Sequence, residues 1–456
     1  MKKTLLLAIF TLLISSGISY AQSVQSITLQ DAIRISLENN YQLKQAENNL
    51  GLSEVSIQSE MADFLPSLTS SFGGSINQGR QQTFVEDQFR FVDVVSKGVS
   101  GSLNAGFTVF NGFQNLLTLR ISQNDKESAE DQLQRAEETI IFTTATRFLQ
   151  VLLDEQLLAI AQENLATSQK QLEQIQAQVE VGSRASVDAY NQESTVATNE
   201  LTVTQRENTL QLNTLLLIRQ LQIDPLGNYE FVTPQLTEAN ASNADPAAYD
   251  LQELIDEALR SRADYRSELT NIKNLNFQLK LARARLLPTL SASAGVNSGY
   301  SDQYRFGGQD VNFGDQFFDQ RVNKSIGFSF QLPLFSNWNR MYNIEVSKVN
   351  LKNAELGIDN TRLQIIQEVT QAYTDYSSIV KQFEASNKAV IASEKAFETQ
   401  QERYDVGAST LIELSQSQAT YVTAQSNYTQ ALYNLVFQEK LLDFYLGKLS
   451  GDNVEF

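Results

Sequence analysis

The sequence contains no cysteine and no histidine among its 456 residues. Without cysteine there are no disulfide bonds, thiolate zinc sites, redox thiols or cysteine nucleophiles. Without histidine the chain lacks the commonest general base and metal ligand, which excludes a Ser-His-Asp triad. These absences disfavour most enzyme classes, whereas chemistry that carboxylates perform alone, such as that of a glycosidase pair, remains open.

Positive charge and long apolar runs are also scarce. The chain has 35 Lys and Arg against 53 Asp and Glu, a formal net charge of −18. Nucleic acid binding is disfavoured, because it requires a basic face. Beyond residue 21 no stretch reaches the roughly 18–20 apolar residues of a membrane helix. We therefore expect the mature chain to be secreted, periplasmic, or inserted in an outer membrane as β-strands.

The first 21 residues have the features of a signal peptide. A basic start, Met1-Lys2-Lys3, precedes an apolar segment at 4–14, and Ser19 and Ala21 place small residues just before Gln22. A buried N-terminal helix and a membrane anchor are the alternatives. The short apolar segment and its small-residue exit favour cleavage after Ala21.

Three short motifs occur twice, in the same order and at nearly the same spacing. They are residues 64–68 and 286–290, 109–113 and 334–338, and Val181-Gly182 and Val406-Gly407. The offset is 222 residues for the first pair and 225 for the others, so an insertion of three residues between Tyr300 and Lys324 accounts for the change. Chance similarity of helical segments would not give a shared offset, and two structural repeats are predicted.

Each repeat is predicted to contain a helix, two strands and a long helical hairpin. The first helices, at about 28–64 and 250–286, end just before a proline, as the restricted residue before proline favours. The expected organisation is a signal peptide at 1–21, repeat 1 at 22–223, an equatorial connector at 224–249, repeat 2 at 250–446 and a C-terminal tail at 447–456.

Four segments alternate between apolar and small polar residues with a period of two, which predicts strands. They lie at about 67–77, 99–110, 289–300 and 324–335. Their length of about 9–11 residues suits tilted strands that cross a bilayer. A soluble sandwich is the alternative, but four such strands after a signal peptide favour an outer-membrane sheet. The segments 78–98 and 301–323, rich in aromatic and acidic residues, are predicted to be long loops.

From Phe113 to Val179 neither proline nor glycine interrupts the chain. Apolar residues recur there every seven positions, as in the seam of a coiled coil. A helix of this length is about 100 Å long and needs partners to bury its seam. Gly182 and Gly407 are expected to end the long helices, with Ser186 and Thr410 as caps of the returning helices. An ordinary helical-hairpin turn already accounts for these glycines, so a functional role of the tips requires a further argument.

These features together resemble the TolC-like outer-membrane efflux family. The resemblance rests on the Leu-Pro-Ser/Thr-Leu motifs at 65–68 and 287–290, on the Val-Gly pairs at 181–182 and 406–407, and on the two-copy architecture. It implies a mainly α fold with a β-barrel part: a homotrimer with a twelve-stranded outer-membrane barrel, continued by an α-helical coiled-coil tunnel. Independently, four strands leave two bare edges, which lipid does not tolerate, so some oligomer is required.

The resemblance also implies a periplasmic gate at the ends of the long hairpins. The family's ring-forming acid, six residues after the second tip glycine, corresponds to Glu413, and a second acid is replaced by Gln416. The family's tip tyrosine corresponds to Tyr404 and its acidic partner to Asp188, whereas the position of a family arginine is Ser409. The alternative for Glu413 is a solvated glutamate stabilised by the helix dipole.

The implied function is a passive exit duct in the outer membrane that extends into the periplasm and needs no catalytic residue, cofactor or metal. An inner-membrane pump and a periplasmic adaptor are the implied partners, and the adaptor would dock at the tips, Val181, Gly182, Val406 and Gly407. The main rival is a secreted or periplasmic structural coiled-coil protein without a pore, which would not need strands with polar faces. Drugs, metal ions, siderophores and polypeptides would all suit an acidic tunnel.

Overall fold

The computed structural model of the protein describes residues 25–85, 88–232 and 249–450. The predicted signal peptide at 1–21 lies outside these residues, as do most of the predicted connector and the last residues of the predicted tail. The chain divides into two compact units. The first is formed by residues up to Ala46, Leu133–Ala263 and residues from Arg362 onward, and the second by Glu47–Gln132 and Asp264–Thr361.

Each repeat contains two short helices, two strands of the main sheet and a helical hairpin. In chain order the first contains β1 (Gln25–Ile27), α1 (Leu29–Asn39), α2 (Tyr41–Ala62), β2 (Ser67–Val85), β3 (Gln88–Phe110), α3 (Gln114–Glu180) and α4 (Ser186–Leu221). After β4 (Tyr229–Phe231), the second contains α5 (Leu251–Ser261), α6 (Ala263–Ala284), β5 (Thr289–Ser301), β6 (Arg305–Phe306), β7 (Gln309–Asp310), β8 (Asn323–Gln331), α7 (Asn339–Asp405) and α8 (Leu411–Tyr445). The predicted mainly helical fold with two repeats is confirmed.

The two longest helices, α3 and α7, have 67 residues each, which corresponds to about 100 Å. Along α3 the heptad positions Ala161, Ser168 and Ile175 are buried, whereas Leu158 and Leu165 are half-buried. No helix in the described ranges combines the length and the hydropathy needed to cross a membrane.

The first helix of each repeat is broken, where one continuous helix was predicted over 28–64 and over 250–286. The breaks fall at Asn40 and Arg262, whose backbones are extended, with ψ of 121° and 122°. The Asn40 side chain accepts a hydrogen bond from the backbone of the first turn of α2. Arg262 is buried and forms an ion pair of 2.6 Å with Glu368. Polar side chains therefore hold both breaks, and neither proline nor glycine marks them.

Four strands form one antiparallel sheet in the order β2-β3-β5-β8. Its two faces differ in chemistry. One carries exposed apolar side chains, such as Phe72 and Phe328, which are 78% and 77% exposed. The other carries small polar residues, such as Ser71 and Ser102, whose hydroxyl oxygens lie 2.7 Å apart. Within the described ranges neither edge strand, β2 or β8, has a second partner strand.

The prediction of a long loop at 78–98 is wrong. β2 and β3 continue through this segment as a paired ladder that reaches Val85 opposite Gln88. The β3 side of the ladder is rich in aromatic and β-branched residues between Phe89 and Val95, and such residues favour strands. The acidic and aromatic composition of the segment was therefore a misleading signal for a loop.

The loop predicted at 301–323 contains local structure. β6 pairs with β7, and a helical turn at Phe313–Asp315 leads into a π-helical turn at Gln316–Gln320. The next strand, β8, ends at Gln331, short of the predicted 335. Pro333 explains this early end, because it has no N–H group to donate to a ladder.

The largest core of the first unit surrounds the middle of α3. Phe148 and Leu152 are fully buried there together with Leu217 and Leu221 of α4. β1 and β4 form a short parallel pair beside this core, and Phe231 of β4 meets the Phe148 ring edge-on at 5.8 Å. The part of the predicted connector that is described therefore packs onto the long helix.

Candidate functional site

Each long hairpin turns at a glycine with left-handed backbone. The φ angles are +74° at Gly182 and +76° at Gly407. The N–H of Gly182 donates to the carbonyl of Val179 at 2.9 Å, and that of Ser183 donates to Gln178 at 2.9 Å. The second turn repeats the pattern at 3.0 and 2.8 Å. Both turns are Schellman motifs, which satisfy the last carbonyls of α3 and α7 and end these helices.

The two tips expose β-branched side chains. Val181 and Val406, predicted as tip residues, are 79% and 80% exposed. Val187 and Ile412, a second pair at the 225-residue offset, are also exposed. The sequence reasoning missed this second pair, although the repeat offset alone identifies it. Each tip therefore presents two exposed apolar side chains in matching positions.

The returning helices begin differently at the two tips. Thr410 caps α8 by accepting a hydrogen bond from the Glu413 backbone at 3.3 Å, and the Glu413 carboxylate accepts one from the Thr410 backbone at 3.0 Å. The prediction that Thr410 is a cap is confirmed, as part of a capping box. The same prediction for Ser186 is wrong, because the cap residue of α4 is Ala185 and makes no side-chain bond.

The Glu413 carboxylate is held in its ionised form by its own chain. It also accepts a hydrogen bond from the Ser409 hydroxyl at 2.8 Å. The hydrogen bond from the Thr410 backbone lowers the pKa of Glu413 most, followed by those from the Ser409 and Thr410 hydroxyls. Within one chain these contacts oppose protonation of Glu413, and the predicted acidic ring stays a prediction about the trimer.

Tyr404 and Asp188, the two other predicted gate residues, are linked through Arg184. The Tyr404 ring is buried against Ile175 and Leu414. The Arg184 guanidinium lies 4.8 Å from the centroid of this ring, and its Nη1 donates to the Tyr404 hydroxyl. Its Nε lies 3.9 Å from Oδ2 of Asp188. The arginine therefore joins the tip of α7 to the start of α4.

A buried layer of amide side chains ties the two hairpins together. Gln418 of α8 donates to Asn164 at 2.7 Å and accepts from Gln171 at 3.1 Å. Gln192 of α4 donates to the Ser168 carbonyl at 2.9 Å and to Gln171 at 3.2 Å. Three helices thus share one hydrogen-bonded network, which sequence periodicity did not reveal because glutamine is usually solvated.

The side chains at the tips can hold the hairpins together and can bind another protein. They hold hydrogen bonds, one cation–π contact and exposed apolar side chains. In the part of the chain that the structure describes, no group of three or more acidic residues is arranged to hold a metal ion.

The two repeats match a known family. The sequence profile of the outer membrane efflux proteins matches residues 32–221 and 254–448. The chain belongs to the outer membrane efflux protein family. The resemblance seen in the sequence motifs is thereby confirmed.

Relatives within this family are distant in sequence. The outer membrane protein TolC of Escherichia coli K12 is 24% identical over 328 residues, which cover 70% of this chain and 64% of that protein. The match therefore spans less than two thirds of the length of TolC. The outer membrane efflux protein BepC of Brucella suis is 19% identical over 442 residues, covering 97% of this chain and 90% of BepC.

Solved structures share the fold of this family member. The outer membrane channel CmeC of Campylobacter jejuni aligns with a TM-score of 0.78 at 16% identity, covering 93% of this chain and 87% of that chain. CusC aligns with a TM-score of 0.78 at 16% identity, covering 92% and 91%. At this identity the alignments establish the fold.

Arg184 is the residue that the sequence comparison with the family missed. The resemblance placed an arginine two residues after the second tip glycine, where this family member has Ser409. Arg184 lies two residues after the first tip glycine, at the 225-residue offset from Ser409. In this chain the arginine therefore stands at the first tip, and from there it contacts Tyr404 of the second tip.

Proposed function

We propose that this protein is the outer-membrane exit duct of a tripartite efflux or type I secretion system. It is a passive channel through the outer membrane and periplasm. The observation that carries the proposal is the open four-stranded sheet, with one exposed apolar face, one face of small polar residues and two edges that are unpaired among the described residues.

The bare edges favour a homotrimer. Inside a bilayer every backbone N–H and C=O group needs a partner, because no water is available. Closing the edge of β2 against β8 of another copy supplies those partners. Three copies of four strands make a twelve-stranded barrel, in agreement with the family resemblance. The apolar face then meets outer-membrane lipid, and the serine-rich face lines the bore.

The tips favour contact with a periplasmic adaptor. Val181 and Val406 are 79% and 80% exposed, and each precedes the glycine of a Schellman turn. Exposed β-branched side chains at the end of a helical hairpin are suited to packing against another hairpin. Transport energy would come from the inner-membrane pump that the family resemblance implies.

The Arg184 contacts favour a gate at the same tips. Tyr404, Arg184 and Asp188 fix α7 against α4 in the resting state. Release of these contacts would let the hairpins separate. Glu413 would line the opening and give it a preference for cations.

Cross-linking tests the duct directly, because the native chain contains no cysteine. Ser71→Cys on β2 is combined with a cysteine at Ser325, Gly327 or Ser329 on β8. At least one pair should yield covalent trimers from outer-membrane fractions, and each single variant should yield none. A soluble monomer that never cross-links would instead favour the pore-free coiled-coil protein.

A further inference from the structure

The loop between β5 and β8 carries a compact aromatic turn, residues 313–320. Its rings form a continuous aromatic cluster, in which Phe313 and Phe317 are stacked and Phe318 meets Phe317 edge-on. The Phe313 ring centroid lies 5.2 Å from that of Phe317, which lies 5.2 Å from that of Phe318. Tyr300, near the end of β5, extends the cluster, with its ring tilted and 5.4 Å from that of Phe313. The aromatic turn is thus one unit with the strand it follows.

A buried glutamine fixes the aromatic turn to β5. The Gln316 side chain is 1% exposed. Its Nε2 donates to the carbonyls of Ser301 at 3.1 Å and Val311 at 2.8 Å. Its Oε1 accepts from the Ser301 N–H at 3.0 Å. These three bonds satisfy the amide almost completely and set the orientation of the turn.

The aromatic turn lies on the apolar face of the sheet. A Cβ atom at Gly101 would stand only 2.8 Å from Cζ of Phe317 and 3.0 Å from the Phe72 ring. Gly101 pairs with Phe72 and with Ser298, and the Ser298 hydroxyl donates to the Phe317 carbonyl. Because Gly101 has no side chain, the Phe317 ring can pack directly against β3 at this position.

The aromatic turn marks one border of the apolar face. The helices join the sheet at its other end, where β2 and β5 begin and β3 and β8 end. From Leu290 to Tyr300 the apolar face of β5 rises about 33 Å along the strand, at roughly 3.3 Å per residue. With the tilt of about 45° usual for membrane strands, this spans about 23 Å along the membrane normal, close to the apolar band of about 25 Å. The turn lies at the outer end of this band, because Phe317 is seated beside Gly101 and Ser298.

Two rings of the aromatic turn remain open to the surroundings. Phe318 is 74% exposed and Phe313 is 44% exposed. Close by, the Arg321 guanidinium lies 5.2 Å from the Tyr304 ring centroid. Aromatic rings beside a polar margin suit the boundary between the lipid chains and the headgroups.

We propose that the aromatic turn anchors the protein in the headgroup region of the outer leaflet, with Phe313 and Phe318 inserted among the lipids. The inference rests on the proposed function, since it needs the sheet to lie in a bilayer. Gln316 and Gly101 act as positioning residues, because they hold the turn on the lipid-facing side.

Tryptophan fluorescence tests this placement. The chain has a single tryptophan, Trp338, so Trp338→Phe gives a dark background for one reporter, Phe318→Trp. The trimer is reconstituted in phosphatidylcholine vesicles that carry bromine either near the headgroup or at the chain ends. We expect shallow bromine to quench the reporter most, with a blue-shifted emission and weak quenching by aqueous acrylamide.

Ile326→Trp in the same background is the matched control. Ile326 is 82% exposed in the middle of β8, so deep bromine should quench it most. Loss of lipid quenching at Ile326→Trp overturns the duct itself. If deep bromine quenches Ile326→Trp but Phe318→Trp is quenched by acrylamide, only the anchor is overturned. The anchor is also overturned if neither bromine nor acrylamide quenches Phe318→Trp, which would indicate that the ring is buried against a neighbouring copy.

A second variant tests the positioning role of Gln316. Adding Gln316→Ala to the Phe318→Trp reporter should red-shift its emission and increase acrylamide quenching. Gln303→Ala removes a glutamine from the same loop, whose side chain donates to the Val95 carbonyl at 3.3 Å, and should leave the emission unchanged. Equal spectra in the two variants would contradict the positioning role.

Discussion

The guanidinium of Arg184 covers the ring of Tyr404, with 4.8 Å between Cζ and the ring centroid, and donates to its hydroxyl. The two residues belong to different repeats and different hairpins. A planar guanidinium combines stacking with directed hydrogen bonds, which an ammonium group does not. The contact therefore joins the two hairpins, and a single substitution at Arg184 removes it.

We predict that Arg184→Ala and Arg184→Lys both open the resting channel. A hydrogen bond to a charged group contributes about 1.5–3 kcal/mol, and 1–2 kcal/mol changes a two-state ratio by a factor of roughly 5–30. Single-channel recording in planar bilayers should show a higher open probability. Arg206→Ala, which removes the same charge from α4 away from the tip, is the control. An effect of Arg206→Ala equal to that of Arg184→Ala would mean that charge alone matters.

Valine at Gly182 or Gly407 should impair export while leaving trimers intact. No atom lies within 4 Å of a Cβ at either position, so the cost is conformational, roughly 1–2 kcal/mol for a left-handed backbone. The measurement is export in cells together with trimer recovery in mild detergent. Gly357→Ala is the control, because this glycine lies in helix α7 with free space around it and alanine should stabilise by about 0.5–1 kcal/mol. Loss of trimers in Gly407→Val would make the tips structural only.

The parts of the fold that the sequence predicted are those with a periodic or repeated signal. The two repeats and the Schellman turns at Gly182 and Gly407 follow from spacing and from the special backbone of glycine. The breaks at Asn40 and Arg262 do not, because a polar side chain that satisfies a helix end is chosen by tertiary contacts. The Arg262 break depends on Glu368, which is distant in sequence.

The candidate site was predicted in part for a similar reason. Tyr404 and Asp188 were found by matching positions, but their connection needed Arg184, which the family pattern did not place there. The 225-residue offset between Arg184 and Ser409 held the signal. Gln418 gave no signal of this kind, since a buried amide is recognised only from its partners.

Glu413→Gln should separate the capping role of this residue from its proposed role in the gate. The pKa of Glu413 lies below its usual value of 4.5 because of its bonds to Thr410 and Ser409. A lowered folded-state pKa stabilises the protein above about pH 4.5, and this contribution disappears as the pH falls through the folded pKa. As a cap alone, Glu413 would leave cation selectivity and divalent block unchanged at neutral pH in the Gln variant. If Glu413 is part of an acidic ring, cation selectivity and block by divalent ions should both be lower in the Gln variant.

The last prediction concerns the buried layer of amide side chains around Gln418. Gln418→Ala leaves the acceptor of Asn164 and the donor of Gln171 without their buried partner, and each such group costs about 1–3 kcal/mol. We expect a lower unfolding midpoint and a higher open probability in planar bilayers, because α8 loses its bonds to α3. Asn427→Ala removes an exposed amide from the same helix, farther from the tip, and should change stability by less than about 0.5 kcal/mol. Destabilisation without any change in open probability would show that the layer supports the fold but does not restrain the hairpins.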